Sequence, residues 1–384
     1  MGNTSYIKCF QLTILMSILL IATILTWYSI FTPEPLPFNV SRDSRWFTTQ
    51  PTPTTPPTCQ PAENMVFIKT HKTGSTSLHC IFCRYGYANK LSFVFSTRNT
   101  KNGHIRKEHL NQSIILPPIG GVVNSSSKYN ILTGHVSYKR KTINSFMEDN
   151  PIYVTILREP ATHVESHMNF FSHRKQVMAS MQAFLKKPRT SKNATGRNNQ
   201  LREFGLSFES TLNETIVNET IMRLDKEFDL VLILEYFDES LILLKNLLCW
   251  SFEDIIYLAQ NQRTTRETIT DTFRRNVYRW SNADYLFYNY FNRTLWENIR
   301  QFGPRFEVEL AHFRDLLKEH NNQCAMFQTT SSIISNLTRV VYKSRNNTQL
   351  CQQLTYSHMD WYRRIAVRQD PTKFAKKFKI NEQI

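Results

Sequence analysis

Three stretches of this chain carry residue types and spacings suited to chemistry on an anion. The first is MVFIKTHKTGSTS, residues 65–77, where an apolar run gives way to lysine, glycine and hydroxyl residues. A strand that breaks into such a loop before a helix offers unpaired backbone N–H groups and the positive end of the helix dipole to an anion. Lys72 adds a full charge, Gly74 lets the backbone come close, and Thr73, Ser75 and Thr76 supply hydroxyls. The order Gly-Lys-Ser/Thr is absent, so the G-x-x-x-x-G-K-[ST] pattern of nucleotide kinases is not met. The competing reading is an ordinary strand-to-helix turn, capped by Thr73, Ser75 or Thr76.

The second stretch is YVTILREP, residues 153–160, followed on the next helix by Glu165, Ser166 and His167. In open α/β sheets ligands bind beyond the carboxyl ends of the strands, which is where Arg158 and the Lys72 loop both stand. A guanidinium with a hydroxyl eight residues on suits a phosphate, through bidentate charge-assisted bonds and one further donor. The third is LTGHVSY, residues 132–138, in which His135 follows a strand and has the chemistry of a general base near neutral pH. His71, in the first loop, is its rival, whereas His163, His167 and His173 are expected to pack or face solvent. Glu235 is a candidate carboxylate near an acceptor, and Asp238 reads as a helix N-cap. Lys69 either steers anions or, by strand alternation, faces outward.

These residues need a scaffold, and short β-rich runs alternating with helical patterns predict an α/β domain with a mostly parallel sheet flanked by helices. Strands are expected at 65–69, 129–133, 152–157 and 230–234, and helices at 75–87, 162–171, 239–248, 284–300 and 305–320. Residues 99–123 and 186–199 are polar or Gly/Pro/Asn-bearing and read as surface excursions.

The N-terminus sets the address. Residues 12–31 form an uncharged 20-residue stretch, which at about 1.5 Å per residue spans a hydrocarbon core of about 30 Å. It is longer than the apolar region of a cleaved signal peptide and reads as a signal anchor, with 1–11 as a cytoplasmic tail. Residues 32–61, rich in Pro and Thr, read as an extended stem, leaving 62–384 as the lumenal domain. Beyond the anchor Asn-x-Ser/Thr recurs at Asn39, Asn111, Asn124, Asn193, Asn213, Asn218, Asn292, Asn336 and Asn346, in keeping with a lumenal location. Six cysteines follow the anchor and allow fifteen disulfide pairings. Cys80-x-x-Cys83 has no second pair at metal spacing and is assigned to a helix as core or disulfide residues. The net charge of +16 calls for an acidic partner, and a lumenal address excludes nucleic acid while leaving a nucleotide-like donor, an acidic glycan or anionic lipid head groups. The tail from 343 to 384 is basic: Trp361 and Tyr362 among arginines could stack on adenine or a sugar, whereas the lysine run at 373–379 reads as a solvated face.

Residues 67–77 and 156–171 resemble the 5′-phosphosulfate loop and the 3′-phosphate motif of membrane-anchored Golgi carbohydrate sulfotransferases. The resemblance is strongest to the galactose 3-O-sulfotransferase family and extends through LEYFDESLILL at 234–244, LCW at 248–250, ADY at 283–285, YFN at 290–292 and Trp296. It implies a P-loop-like sulfotransferase fold and the donor 3′-phosphoadenosine 5′-phosphosulfate, used without a metal. Lys72, Thr73, Gly74, Ser75 and Thr76 would then hold the 5′-phosphosulfate, and Arg158 with Ser166 the 3′-phosphate. Lys72 would also stabilise charge on the oxygen bridging phosphorus and sulfur, with His135 as base. The acceptor so implied is the 3-hydroxyl of galactose in a glycolipid or glycoprotein glycan, reached by a single-pass type II protein of the Golgi membrane. The Gly-His-Val-Ser element is also reminiscent of uronyl 2-O-sulfotransferases acting on glycosaminoglycans. A lumenal glycosyltransferase shares the anchor and stem, but the chain has no Asp-x-Asp for the metal-dependent kind. A catalytically silent glycan-binding protein is opposed by the joint presence of Lys72, Arg158, Ser166 and His135.

Overall fold

The computed structural model describes residues 59–98, 105, 110–122, 124, 126–188, 195–260, 263–264, 267–331 and 338–380. The expected tail at 1–11, the anchor at 12–31 and all of the stem before Cys59 lie outside the described residues. Among the described residues no helix is long and apolar enough to cross a membrane.

Four strands, β1 (Met65–Ile68), β2 (Ile131–Gly134), β3 (Ile152–Leu157) and β4 (Leu230–Ile233), pair in parallel in the order β2-β1-β3-β4. Every strand residue except Ile152 is buried, as expected for a parallel sheet covered on both faces. The expected strand at 129–133 starts two residues late because Tyr129 instead forms an isolated bridge with Met147. Around the sheet stand α1 (Ser75–Ala88), α2 (Pro160–Phe170), α3 (Arg174–Lys186), α4 (Glu214–Glu227), α5 (Phe237–Leu248), α6 (Asp271–Trp280), α7 (Asn282–Phe302) and α8 (Arg305–Cys324). An antiparallel hairpin of β5 (Ala325–Ser331) and β6 (Thr338–Ser344) leads to α9 (Gln349–Thr355), α10 (His358–Gln369) and α11 (Pro371–Phe378). The five expected helices are present with shifted ends.

The strand order decides where a ligand fits. From β1 the chain moves to β2 on one side and then to β3 on the other, so the loops after β1 and β3 flank a topological switch point. The two predicted anion motifs are those two loops.

The basic tail is not a solvated face throughout. Trp361 and Tyr362 on α10 are fully buried, with Trp361 edge-on to Tyr87 and Tyr356 and the Tyr362 hydroxyl donating to the Ser96 carbonyl at 3.0 Å. Gln369 accepts from Phe93 N–H (2.8 Å) and donates to its carbonyl (3.1 Å), satisfying backbone beside β2. Stacking of these aromatics on adenine or a sugar is thereby excluded, because their faces are used by the core. Disulfides join Cys59 to Cys249 and Cys324 to Cys351, while Cys80 and Cys83 are free thiols on α1. Burial pushes the Cys80 thiol up to about 12, away from thiolate chemistry.

Candidate active site

The loop between β1 and α1 is held from within. Gly74 caps α1 with φ 73, a conformation that requires glycine, and a Cβ there would stand 2.4 Å from Leu234 Cδ1, so that side chain would also have to shift. Lys72 also has positive φ, at 63, a costly state for a residue with a side chain. Thr70 Oγ1 donates to the Ile156 carbonyl at 2.8 Å and lies 2.8 Å from Thr73 Oγ1, and Ser75 Oγ donates to the Thr70 carbonyl at 2.6 Å. The Thr73 and Ser75 hydroxyls therefore hold the loop in shape. What the loop offers an anion is the N-terminus of α1, where the N–H groups ahead of Ser77, whose own N–H donates to the Gly74 carbonyl at 3.1 Å, have no intrahelical acceptor, together with lysine.

Two lysines serve it. Lys69 is buried, with its Nζ 3.3 Å from each of Ser75 Oγ, Thr76 Oγ1 and His135 Nε2. An outward Lys69 is thus overturned: β1 ends at Ile68, so pleat alternation no longer governs the next side chain. Burial lowers the Lys69 ammonium from 10.5 to about 8. The Lys72 ammonium lies 3.9 Å above the Phe170 ring, a cation–π contact that tethers it to the end of α2.

The second motif meets the first directly. Arg158 donates through Nη1 to the Lys72 carbonyl at 3.1 Å and through Nε to Thr162 Oγ1 at 3.0 Å. Its backbone is gripped by Gln200, which accepts from Arg158 N–H (2.9 Å) and donates to its carbonyl (2.8 Å). Ser166 is buried one helical turn beyond Thr162 on the same face of α2. Arg158, Thr162 and Ser166 thus run in series from the loop along the helix. The N-terminus of α2 is already neutralised, because Glu159 accepts from Ala161 N (3.0 Å) and Thr162 N (2.8 Å) and pairs with Arg274. An anion at this end is left to the guanidinium and hydroxyls.

Glu235 accepts from Glu159 N–H at 3.1 Å and Tyr288 Oη at 3.4 Å, and burial raises its pKa. It therefore braces the Arg158 loop. Asp238 is not the cap of α5, which is Tyr236; it accepts from Tyr257 Oη at 2.8 Å and pairs with Arg314.

His135 follows β2 directly, and its ring stacks on His71 with centroids 3.8 Å apart and planes 16° from parallel. The chain brings both candidate bases to one place. Glu203, 132 residues from His71, accepts its backbone N–H at 2.8 Å and lies 3.0 Å from its Nδ1. His163 is buried, with Nε2 donating to the His71 carbonyl at 2.9 Å, and burial lowers its pKa; His167 is lowered to about 4, chiefly by burial. Both act as packing residues, as expected, and His173 is exposed. His71, His135 and Glu203 also bring three ligand-type atoms within 4.8 Å of one another. Stacked rings confine their nitrogen lone pairs to near-parallel planes, and the Lys69 ammonium adjoins His135 Nε2. That geometry disfavours a divalent cation, which needs converging ligands and no adjacent positive charge.

Sequence reasoning missed Glu203 and Gln200 as residues that build the site, and left Lys69 open between steering anions and facing outward. Lys69 lay within the motif, and its spacing of three from Lys72 was visible. Glu203 and Gln200 come from a short helix, Asn199–Arg202, and the residue after it, and no local pattern marks them.

The assembled groups can hold an anion at two separate points and place an imidazole beside the first, with His135 Nε2 3.3 Å from Lys69 Nζ. A family model described as galactose-3-O-sulfotransferase matches residues 4–354. Galactosylceramide sulfotransferase of Homo sapiens is 32% identical over 273 residues, covering 67% of this chain and 62% of that protein. Galactose-3-O-sulfotransferase 2 of Homo sapiens is 29% identical over 279 residues, 69% of this chain and 68% of that protein. Galactose-3-O-sulfotransferase 3 of Homo sapiens is 26% identical over 295 residues, 70% of this chain and 67% of that protein. The chain spans less than two thirds of the length of the galactosylceramide sulfotransferases of Homo sapiens and Bos taurus that it matches.

Proposed function

The chain belongs to the galactose-3-O-sulfotransferase family, and from that premise we propose that it transfers sulfate from 3′-phosphoadenosine 5′-phosphosulfate to the 3-hydroxyl of a galactose in a glycolipid or glycoprotein glycan. The observation that carries this reading is the bond from Arg158 to the Lys72 carbonyl, which joins two anion-binding loops at the switch point. A donor with one phosphate at its 3′ end and a phosphosulfate at its 5′ end fits such a divided site.

The donor supplies an activated sulfonate, and the chain's residues do the rest. Lys72, the N–H groups from Thr73 to Thr76 around Gly74, and the Thr76 hydroxyl hold the 5′ end; Thr73 and Ser75 act there through backbone and loop shape. Arg158, with Thr162 and Ser166, holds the 3′-phosphate. Lys69 turns its ammonium from His135 Nε2 toward the incoming anion, which frees that nitrogen to take the proton of the acceptor hydroxyl. His71, fixed by Glu203, keeps the His135 ring in register by stacking. As the sulfur–oxygen bond breaks, Lys72 and Lys69 stabilise the charge left on the phosphate oxygen. The anchor at 12–31 and stem at 32–61 support a type II protein with its catalytic domain in the Golgi lumen.

Calorimetric titration with adenosine 3′,5′-bisphosphate and adenosine 5′-monophosphate tests the divided site. Charged hydrogen bonds contribute about 1.5–3 kcal/mol, so the bisphosphate should bind about ten- to hundredfold tighter, and Arg158→Ala should abolish that preference. Equal affinity of the unaltered protein for the two nucleotides would contradict the reading.

A further inference from the structure

One short helix reaches both halves of the site, and it does not cap itself. Residues Asn199–Arg202 make a single turn entered through Asn198, whose backbone is left-handed at φ 50 and whose side chain makes no cap bond. The N–H groups of Gln200 and Leu201, the second and third residues of that turn, therefore need an acceptor from elsewhere. Asp284 supplies it: Oδ2 accepts from Gln200 N–H at 3.1 Å and Oδ1 from Leu201 N–H at 2.9 Å. Asp284 is buried in the first turn of α7, a 21-residue helix packed on β4. Ser281, the residue before α7, holds the same segment. Its Oγ accepts from Asn198 N–H at 2.7 Å and donates to Asn198 Oδ1 at 3.1 Å.

From this turn three side chains go to the site. Gln200 brackets the Arg158 backbone, accepting its N–H and donating to its carbonyl. Glu203, just past the turn, accepts the N–H of His71, whose ring stacks on His135. Asn199 Nδ2 lies 3.2 Å from His167 Nε2. A single helical turn has too few bonds of its own to hold a fixed place, so the position of all three depends on α7.

We infer that Asp284 is a positioning residue for the transfer reaction: by capping this turn it fixes the Arg158 backbone at the 3′-phosphate end and the His71–His135 stack at the base end. The inference rests on the proposed function and deepens it. Both carboxylate oxygens are engaged by backbone N–H groups, so Asp284 acts through the turn and not by contact with a substrate.

The test reads two quantities on the full chain: the preference for adenosine 3′,5′-bisphosphate over the 5′-monophosphate, by calorimetry, and turnover at saturating donor and galactoside. Asp284→Asn keeps the shape but offers one acceptor oxygen to two N–H groups. It should cut the bisphosphate preference about tenfold and turnover about tenfold, with affinity for the monophosphate retained. Gln200→Ala should cut the preference alike, and the double variant should lose no more than either single one, because both act through the same bonds. A merely structural Asp284 would lower the unfolding midpoint and leave both readouts unchanged in the folded protein. Should Asp284→Asn fail to fold, Ser281→Ala, which releases the other end of the turn, should move both readouts in the same direction, and no movement there overturns the inference. A folded Asp284→Asn that keeps either the preference or the turnover of the unaltered protein, or losses that multiply in the double variant, overturns the inference and leaves the proposed function standing. Equal affinity of the unaltered protein for the two nucleotides overturns that function and the inference with it.

Discussion

Lys69 gives the site a pH dependence whose sign and size follow from its burial. Its ammonium loses the proton at about 8 because it is desolvated, against 10.5 for a free lysine. A bound phosphosulfate or phosphate restores a reason to be charged, so in the complex the proton is held to higher pH. Between those two values binding takes up a proton, and affinity falls as pH rises; below about 8 Lys69 is charged in both states and affinity is flat. Full recovery to 10.5 would be worth about 3.4 kcal/mol, at about 1.36 kcal/mol per pH unit, or about 300-fold in affinity. Calorimetry with adenosine 3′,5′-bisphosphate between pH 7 and 10, in buffers of different ionisation enthalpy, reads both the affinity and the proton uptake. The expected slope approaches a tenfold loss per pH unit above about 8, and Lys69→Met should flatten it. Ligand-free stability, compared with Lys69→Met, should run the other way: the unfolded chain keeps this proton to higher pH than the folded one, so stability rises with pH across the same window. A bisphosphate affinity that stays level from pH 8 to 10 in the unaltered protein would refute the reasoning.

Two further perturbations probe the loop and the chemistry. Gly74→Ala forces a side chain into a left-handed conformation and onto Leu234, and should lower stability by about 1–2 kcal/mol, read as a shifted denaturant midpoint with an unchanged slope; an unshifted midpoint would show that the loop tolerates the strain. His135→Ala and Lys72→Ala should each reduce turnover about a hundredfold or more with the unfolding midpoint retained, and near-normal turnover in either variant would remove that residue from the mechanism.

Much of the sheet was legible because its signals are local. The strand at 152–157 has the expected limits, and the motifs end β1 and β3 where a parallel sheet needs them. Narrow apolar faces concealed α3 and α6: α6 buries only Val277 and Trp280, too few for a periodic signal. Helix α4 does space Val217, Ile221 and Leu224 helically, a pattern open to sequence reading yet absent from the expected elements. At the site, residue types were legible but directions were not. Thr73 and Ser75 read as ligands because they are hydroxyls, yet both bond inward to Thr70. Lys69 read as ambiguous because alternation loses force one residue past the ladder. Glu203 reaches His71 only through the tertiary fold, and Trp361 and Tyr362 read as candidate stacking groups because the helices that cover them are distant in sequence.

The central claim is that the paired loops and the His135 ring together move sulfate onto galactose. The direct measurement is incubation of the protein with 35S-labelled 3′-phosphoadenosine 5′-phosphosulfate and a panel of β-galactosides, glycolipid and glycan, with chelator present. The account predicts labelled product on at least one galactoside, with the label lost when the galactose 3-hydroxyl is replaced by hydrogen. No label on any galactoside, or label that persists on the 3-deoxy acceptor, would contradict it.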